Sequence, residues 1–255
     1  MSHEVEYNDS MIKMLELIWG DGFMAPGGTE NVDLMVNGID IRGRHVLDIG
    51  CGLGGPDCHL AEQFGAHITG IDLEPLLIEN ARSRAQSKGL QSHCEFILVD
   101  HGPLPFRDSH FDFIISAGAF TQTPDKTNLF AECFRVLRPG GSLSSFDWTK
   151  REETISSDMA YFFKMEGLTY ALEKPETYRE LFKSSGFTGI SIQDGSDWYR
   201  RQAREEYQLI KGKMNARLVE VIGQQATDHF VEDWRSMAIV FEKGELTQTY
   251  CRARK

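Results

Sequence analysis

The residues best suited to chemistry lie in the segment 45–55, HVLDIGCGLGG, where Asp48 precedes Gly50, Gly52, Gly54 and Gly55. Glycines at that density permit positive φ and leave no Cβ in the way, so backbone can approach a ligand closely. Asp48 supplies a carboxylate able to hold an ammonium group, directly or through water. Asp72 follows 22 residues after Gly50, the spacing at which an acid ending the next strand accepts hydrogen bonds from ribose hydroxyls. These residues indicate a nucleotide-like ligand. Because the loop also satisfies G-x-G-x-x-G, they leave a nicotinamide dinucleotide open beside other cofactors.

The elements that must position this loop are legible from periodicity. Residues 45–50 (HVLDIG), 67–73 (HITGIDL), 94–100 (CEFILVD), 111–118 (FDFIISAG) and 142–148 (SLSSFDW) are short apolar runs rich in β-branched and aromatic residues, as buried parallel strands require. Between them, 56–64, 75–88 with Pro75 near its start, and 126–137 closed by RPGG have helical period. Strand alternating with helix predicts a doubly wound sheet whose ligands lie beyond the carboxyl ends of the strands, where 48–55 falls. Further on, helices are expected at 153–170, 175–185, 198–223 and 228–242, and strands at 187–193 and 245–253. The last strand follows a Lys243–Gly244 turn and suggests an antiparallel hairpin at the sheet edge. Helical period at 9–18 and 28–36 precedes the core. The expected fold is α/β: a Rossmann-like, doubly wound, seven-stranded sheet with an antiparallel edge strand and helical cap insertions. Residues 1–40 would form a helical lid, 41–150 the cofactor-binding core, and 151–255 the remaining core with cap insertions at 149–174 and 198–243.

Composition narrows the function classes. A formal net charge of −11 works against nucleic acid, since phosphate binding needs clustered Lys and Arg. Short basic groups such as Arg200-Arg201 and residues 252–255 suit solvated faces. No run approaches the ~18 apolar residues of a membrane span, and MSHEVEYNDS lacks the basic and apolar regions of a secretory signal. A cytoplasmic location and no membrane partner are expected. Cys51, Cys58, Cys94, Cys133 and Cys251 are scattered without CxxC spacing, as reduced thiols rather than a metal site.

Several motifs in register carry a resemblance. DIGCGLGG from Asp48, Gly70-Ile-Asp-Leu, Asp100 before Leu104-Pro-Phe, Phe111-Asp112 and Leu137-Arg-Pro-Gly-Gly resemble class I S-adenosylmethionine-dependent methyltransferases in order and spacing across 44–147. The resemblance implies S-adenosylmethionine as cofactor. Asp48 and the backbone of Gly50, Gly52 and Gly54 would surround its methionyl part, Asp72 its ribose and Leu73 its adenine. Asp100 and His101 would hold the adenine edge, and Ser116 and Ala117 would line the floor near the sulfonium.

The flanks are similar to a narrower group. Tyr7, then WGDGF from Trp19, PGGTE from Pro26, and Trp234 with its following strand resemble phosphoethanolamine and sarcosine/dimethylglycine methyltransferases, which methylate small amines. In the phosphobase enzymes a tyrosine and a histidine close over the cofactor and help deprotonate the amine. Tyr7 matches the first; Gln122 stands at the second and cannot act as a general base. The phosphate-gripping lysine of that family falls near Met237. Methyl transfer is an in-line displacement that needs an unprotonated nucleophile near ~3–3.5 Å from the methyl carbon. Tyr7 and Gln122 are therefore sufficient as hydrogen-bonding partners. Trp19, Phe23, Phe120, Trp148, Phe162 and Trp198 are candidates to surround a methylated ammonium by cation–π attraction, Trp148 above all, at the end of the fifth strand. An O- or C-methyltransferase acting on an aromatic or isoprenoid acceptor, a nicotinamide-dependent reductase and a non-catalytic cofactor-binding module are the competing readings.

Overall fold

The computed structural model describes residues 7–255. Its sheet has the order β3-β2-β1-β4-β5-β7-β6, formed by β1 (His45–Ile49), β2 (His67–Asp72), β3 (Cys94–Leu98), β4 (Phe111–Ala117), β5 (Leu137–Lys150), β6 (Thr188–Asp194) and β7 (Leu246–Arg254). Helices α1 (Asp9–Trp19) and α2 (Gly28–Val36) precede the sheet; α3 (Gly55–Phe64), α4 (Pro75–Ser87), α5 (Ala119–Gln122) and α6 (Lys126–Val136) connect its parallel strands. α7 (Ser157–Glu166) and α8 (Pro175–Ser184) separate β5 from β6, and α9 (Ser196–Lys211), α10 (Asn215–Ile222) and α11 (Gln224–Glu242) separate β6 from β7. β1 pairs in parallel with both β2 and β4, so the strand order reverses at β1. That reversal opens the crevice in which the glycine loop sits.

Successive side chains on the strands alternate between two cores. Val46, Ile68, Phe96, Phe113 and Phe146 pack with α2, α3 and α4 on one face. On the other, Leu47, Ile49, Ile114 and Leu143 meet Phe130, Tyr178 and Phe182 of α6 and α8. A third cluster, made by α1, α7, α9, α10 and α11, forms the cap. α2 falls within residues 1–40, expected to form the lid, but Val32, Met35 and Val36 bury it against the sheet core.

The seven-stranded α/β architecture is as expected, with differences that have physical causes. The reversed strand β7 lies one place in from the margin, antiparallel to β5 and to β6, and it follows α11 instead of closing a hairpin. Its first four residues, Leu246 to Thr249, are buried on both faces, and Thr247 and Thr249 both bond the Thr149 hydroxyl across the ladder at 2.7 Å. The helix expected at 153–170 contracts to α7. Ser156 caps it through Met159 N, and Gly167 ends it at φ 75, leaving Ala171 N free to bond Thr121 O at 2.9 Å. The expected 198–223 helix breaks at Gly212 into α9 and α10. Among the described residues no helix is long and apolar enough to cross a membrane.

Candidate cofactor and acceptor site

The loop after β1 is held by hydrogen bonds to its neighbour. Gly50 N and Cys51 N donate to Ile71 O at 2.9 and 3.0 Å, and Gly52 N donates to Asp72 Oδ2 at 2.9 Å. Gly50 takes φ 75, and a Cβ there would stand 2.3 Å from the Ala119 Cβ. The glycine is therefore needed for packing against α5 as well as for approach to a ligand. Asp72 also accepts from Glu74 N at 3.0 Å; burial nevertheless raises its carboxyl pKa. Leu73, Asp100 and His101 stand exposed beyond β2 and β3, on the rim of the same crevice. Ser116 donates to Ile49 O at 2.9 Å and is fully buried. Its hydroxyl thus ties β4 to β1, and Ala117 beside it lines the cavity.

That cavity is small, about 30 Å³, and is lined by Phe23, Met24, Gly50, Gly52, Ala117 and Phe146, among others. The loop between α1 and α2 closes it. Gly55 N donates to Gly22 O at 3.1 Å, and Arg84 of α4 reaches Leu53 O at 2.7 Å and Asp21 at 2.8 Å. Residues 22–26 and Gly28 thus stand directly over the glycine loop.

Beneath the loop lies a pair of acids. Asp48 and Asp57 are fully buried, and none of their carboxylate oxygens has a hydrogen-bond partner. Gly70 makes room for them, since a Cβ there would come within 2.8 Å of Asp57 Oδ1. Burial, then the charge of Asp57, pushes the Asp48 pKa well up. A cation arriving beside Asp48 would reverse that shift.

On the acceptor side, α5 is laced to β5. Asp147 accepts from Thr121 N at 3.2 Å and from Ser145 Oγ at 2.8 Å, and Trp148 N donates to Thr121 Oγ1 at 3.0 Å. This fixes Gln122, the last residue of α5, relative to Trp148. The Trp148 ring lies among Phe162, Tyr170, Tyr199 and Phe241 at 5.6–6.1 Å between centroids. Tyr7 packs as a partly buried member of the same cap cluster.

The other aromatic candidates are used differently. Trp19 donates its indole N–H to Glu206 at 2.7 Å, and Trp234 donates to the other oxygen at 3.0 Å, so Trp19 is committed to tying α1 to the cap. Phe23 lines the cavity at the loop. Phe120 is a correction to the acceptor set: fully buried and 5.1 Å from Phe130, it belongs to the core on the opposite face of the sheet. Phe162 is fully buried beneath Trp148. Trp198 packs over Gly27, where a Cβ would meet its ring at 2.9 Å.

Residues 46–141 match the family profile described as a methyltransferase domain. The match takes in the glycine loop and the strands β1 to β4. Phosphoethanolamine N-methyltransferase 1 of Arabidopsis thaliana is 31% identical over 91% of the chain and 46% of its own length. The chain thus spans about half the length of the curated relatives it matches. A Haemonchus contortus phosphoethanolamine N-methyltransferase 2, solved with phosphomonomethylethanolamine and S-adenosylhomocysteine, superposes with TM-score 0.90 at 25% identity, covering 98% of this chain and 58% of that one. A Galdieria sulphuraria protein crystallised as a candidate sarcosine dimethylglycine methyltransferase shares the fold at TM-score 0.83 and 22% identity, over 97% and 98% of the two chains.

Several polar residues of the crevice and the cap escaped sequence reasoning. Asp57 follows the glycine loop in the first turn of α3, where an acid reads as a solvated helix start. Glu166 accepts a hydrogen bond from the Tyr170 hydroxyl, and burial raises its pKa to about 7. Asp233 is 3% exposed with Oδ1 unpartnered. It had a legible signal, because it interrupts the buried stripe Phe230, Trp234, Met237 and Phe241 of α11. Gln248, opposite Trp148 on β7, is fully buried with its amide unpartnered.

Proposed function

We propose that the chain transfers a methyl group from S-adenosylmethionine to the nitrogen of a small amine. The observation that carries this reading is the similarity to phosphoethanolamine N-methyltransferases over 91% of the chain, which takes in the cap as well as the glycine loop. The residues fit the cofactor: the unpartnered Asp48 oxygens suit the ammonium of its methionyl part, and the glycine-loop backbone can approach closely. When bound, S-adenosylmethionine supplies an electrophilic methyl group on a sulfonium. Asp72 holds the ribose, Leu73 covers the adenine, and Asp100 with the His101 N–H meets its edge. Ala117, on a strand end that Ser116 pins, forms the floor.

The chain's part in the reaction is positioning. Tyr7 and Gln122 orient the amine so that its lone pair lies in line with the methyl carbon, and the cap excludes water. Neither the reaction nor the net charge of −11 calls for nucleic acid, and a soluble cytoplasmic setting suits a small-molecule acceptor. Calorimetry with S-adenosylhomocysteine and with NADH tests the cofactor assignment. Binding of the homocysteine product is the expected result; NADH binding with no response to the product contradicts it.

A further inference from the structure

The cap holds buried carboxylates without buried cations to balance them. Among the described residues Lys126 is the one buried lysine or arginine. It serves the far side of α5, donating to Thr123 O at 2.7 Å and Ala171 O at 2.5 Å. Glu206 is satisfied by Trp19, Trp234 and Gln202. Asp233 is not: it is 3% exposed on α11, which packs against both α7 and α9, and its Oδ1 has no partner.

The surroundings of that carboxylate are aromatic and acidic. One helical turn from Asp233, the Met237 sulfur accepts from the Tyr199 hydroxyl at 3.5 Å, and Tyr199 lies 5.7 Å from Trp148. Tyr170 stands 6.1 Å from Trp148 and 4.6 Å from Phe163, and its hydroxyl bonds Glu166. The charges of Asp233 and Glu166 reach one another and both Tyr170 and Tyr199. The nearby cations point outward: Lys164 is exposed, and Arg235 pairs with Glu232 at 2.6 Å on the outer side.

We propose that Asp233, with the Glu166–Tyr170 pair and the Trp148 and Phe163 rings, receives the positively charged end of a small amine that carries no phosphate. This rests on the amine N-methyltransferase reading and names its substrate class. A buried carboxylate with an oxygen left unpartnered is costly, and a cation beside it removes the cost while the rings add cation–π attraction. A phosphate in the same corner would meet like charge. With no buried lysine or arginine among the described residues of the cap to meet a phosphate at the acceptor's other end, the acceptor proposed here differs from the phosphorylated amine seen with the Haemonchus contortus relative.

The test uses the full chain loaded with S-adenosylhomocysteine and titrated by calorimetry. The probes are dimethylethanolamine, its phosphate ester, choline, and the neutral isostere of choline in which tert-butyl replaces trimethylammonium. Dimethylethanolamine and choline are expected to bind about tenfold or more tightly than the ester and the isostere, respectively. Asp233→Asn is expected to erase that preference while S-adenosylhomocysteine affinity, which reports an intact fold, stays unchanged. Tighter binding of the phosphate ester, or an undiminished preference in Asp233→Asn, overturns the proposal. In a parallel assay with S-adenosylmethionine carrying a labelled methyl group and with phenols added to the probes, methylation of the phosphate ester alone would sink it and leave the amine reading standing; methylation of phenols alone would sink both.

Discussion

At the residue scale, the buried acids dominate. Asp72 bridges the glycine loop and the start of α4 through Gly52 N and Glu74 N, and its remaining lone pairs are available to a ribose. Asp72→Ala is expected to weaken S-adenosylhomocysteine binding by roughly 10- to 100-fold, measured by calorimetry; unchanged affinity would remove the ribose role. Tyr7→Phe should leave that affinity alone and lower turnover instead. Glu166 offers a pH test. Burial raises its folded pKa to about 7 against the opposing Tyr170 hydrogen bond, whereas an unfolded glutamate titrates near ~4.3. Between those values the folded chain keeps a proton that the unfolded chain has released. Its contribution is thus fully present below the unfolded pKa and is lost as pH rises through about 7. Glu166→Gln, which mimics the protonated acid, should flatten the fall of the melting temperature across that window. An identical slope in the variant would contradict this.

At the element scale, the fold was legible where local pattern and tertiary context agree. The strands read at 45–50 and 67–73 are apolar enough that burial on both faces leaves no alternative, and each runs only one residue past the observed β1 and β2. The pattern was weaker where contacts distant in sequence decide. β7 reads as a half-buried edge strand from its alternation of threonines and apolar residues, yet β6 covers its outer side and the threonines bond one another. The break at Gly212 and the contraction of α7 follow from chain direction in the cap, which periodicity does not encode. The glycine loop and Asp72 were visible because their roles depend on short spacing. Asp233, Glu166 and Glu206 gain meaning only when α7, α9 and α11 meet. Glu206 gives the measurable consequence: Glu206→Ala leaves the indole N–H groups of Trp19 and Trp234 without their acceptor. It is expected to cost about 2–4 kcal/mol of stability in denaturant unfolding and to speed amide exchange in α1. Wild-type exchange in α1 would show that the helix is held by apolar packing alone.

At the scale of the whole molecule, a parallel sheet with its order reversed at β1 presents a ligand crevice, and the helices of the cap close over it. Arg84 contacts Leu53, Glu16 and Asp21 and so ties α4 to the glycine loop, to α1 and to the segment that lines the cavity of about 30 Å³. On the proposed reading the crevice takes an adenosyl cofactor, the cap takes an amine, and the two act together. Transfer of a labelled methyl group from S-adenosylmethionine, screened over glycine, sarcosine, dimethylglycine, ethanolamine and its methylated and phosphorylated forms, and phenols, tests that most directly. Label on the nitrogen of an amine is the result expected; label confined to phenols, or no transfer from a chain that binds S-adenosylhomocysteine, would contradict it.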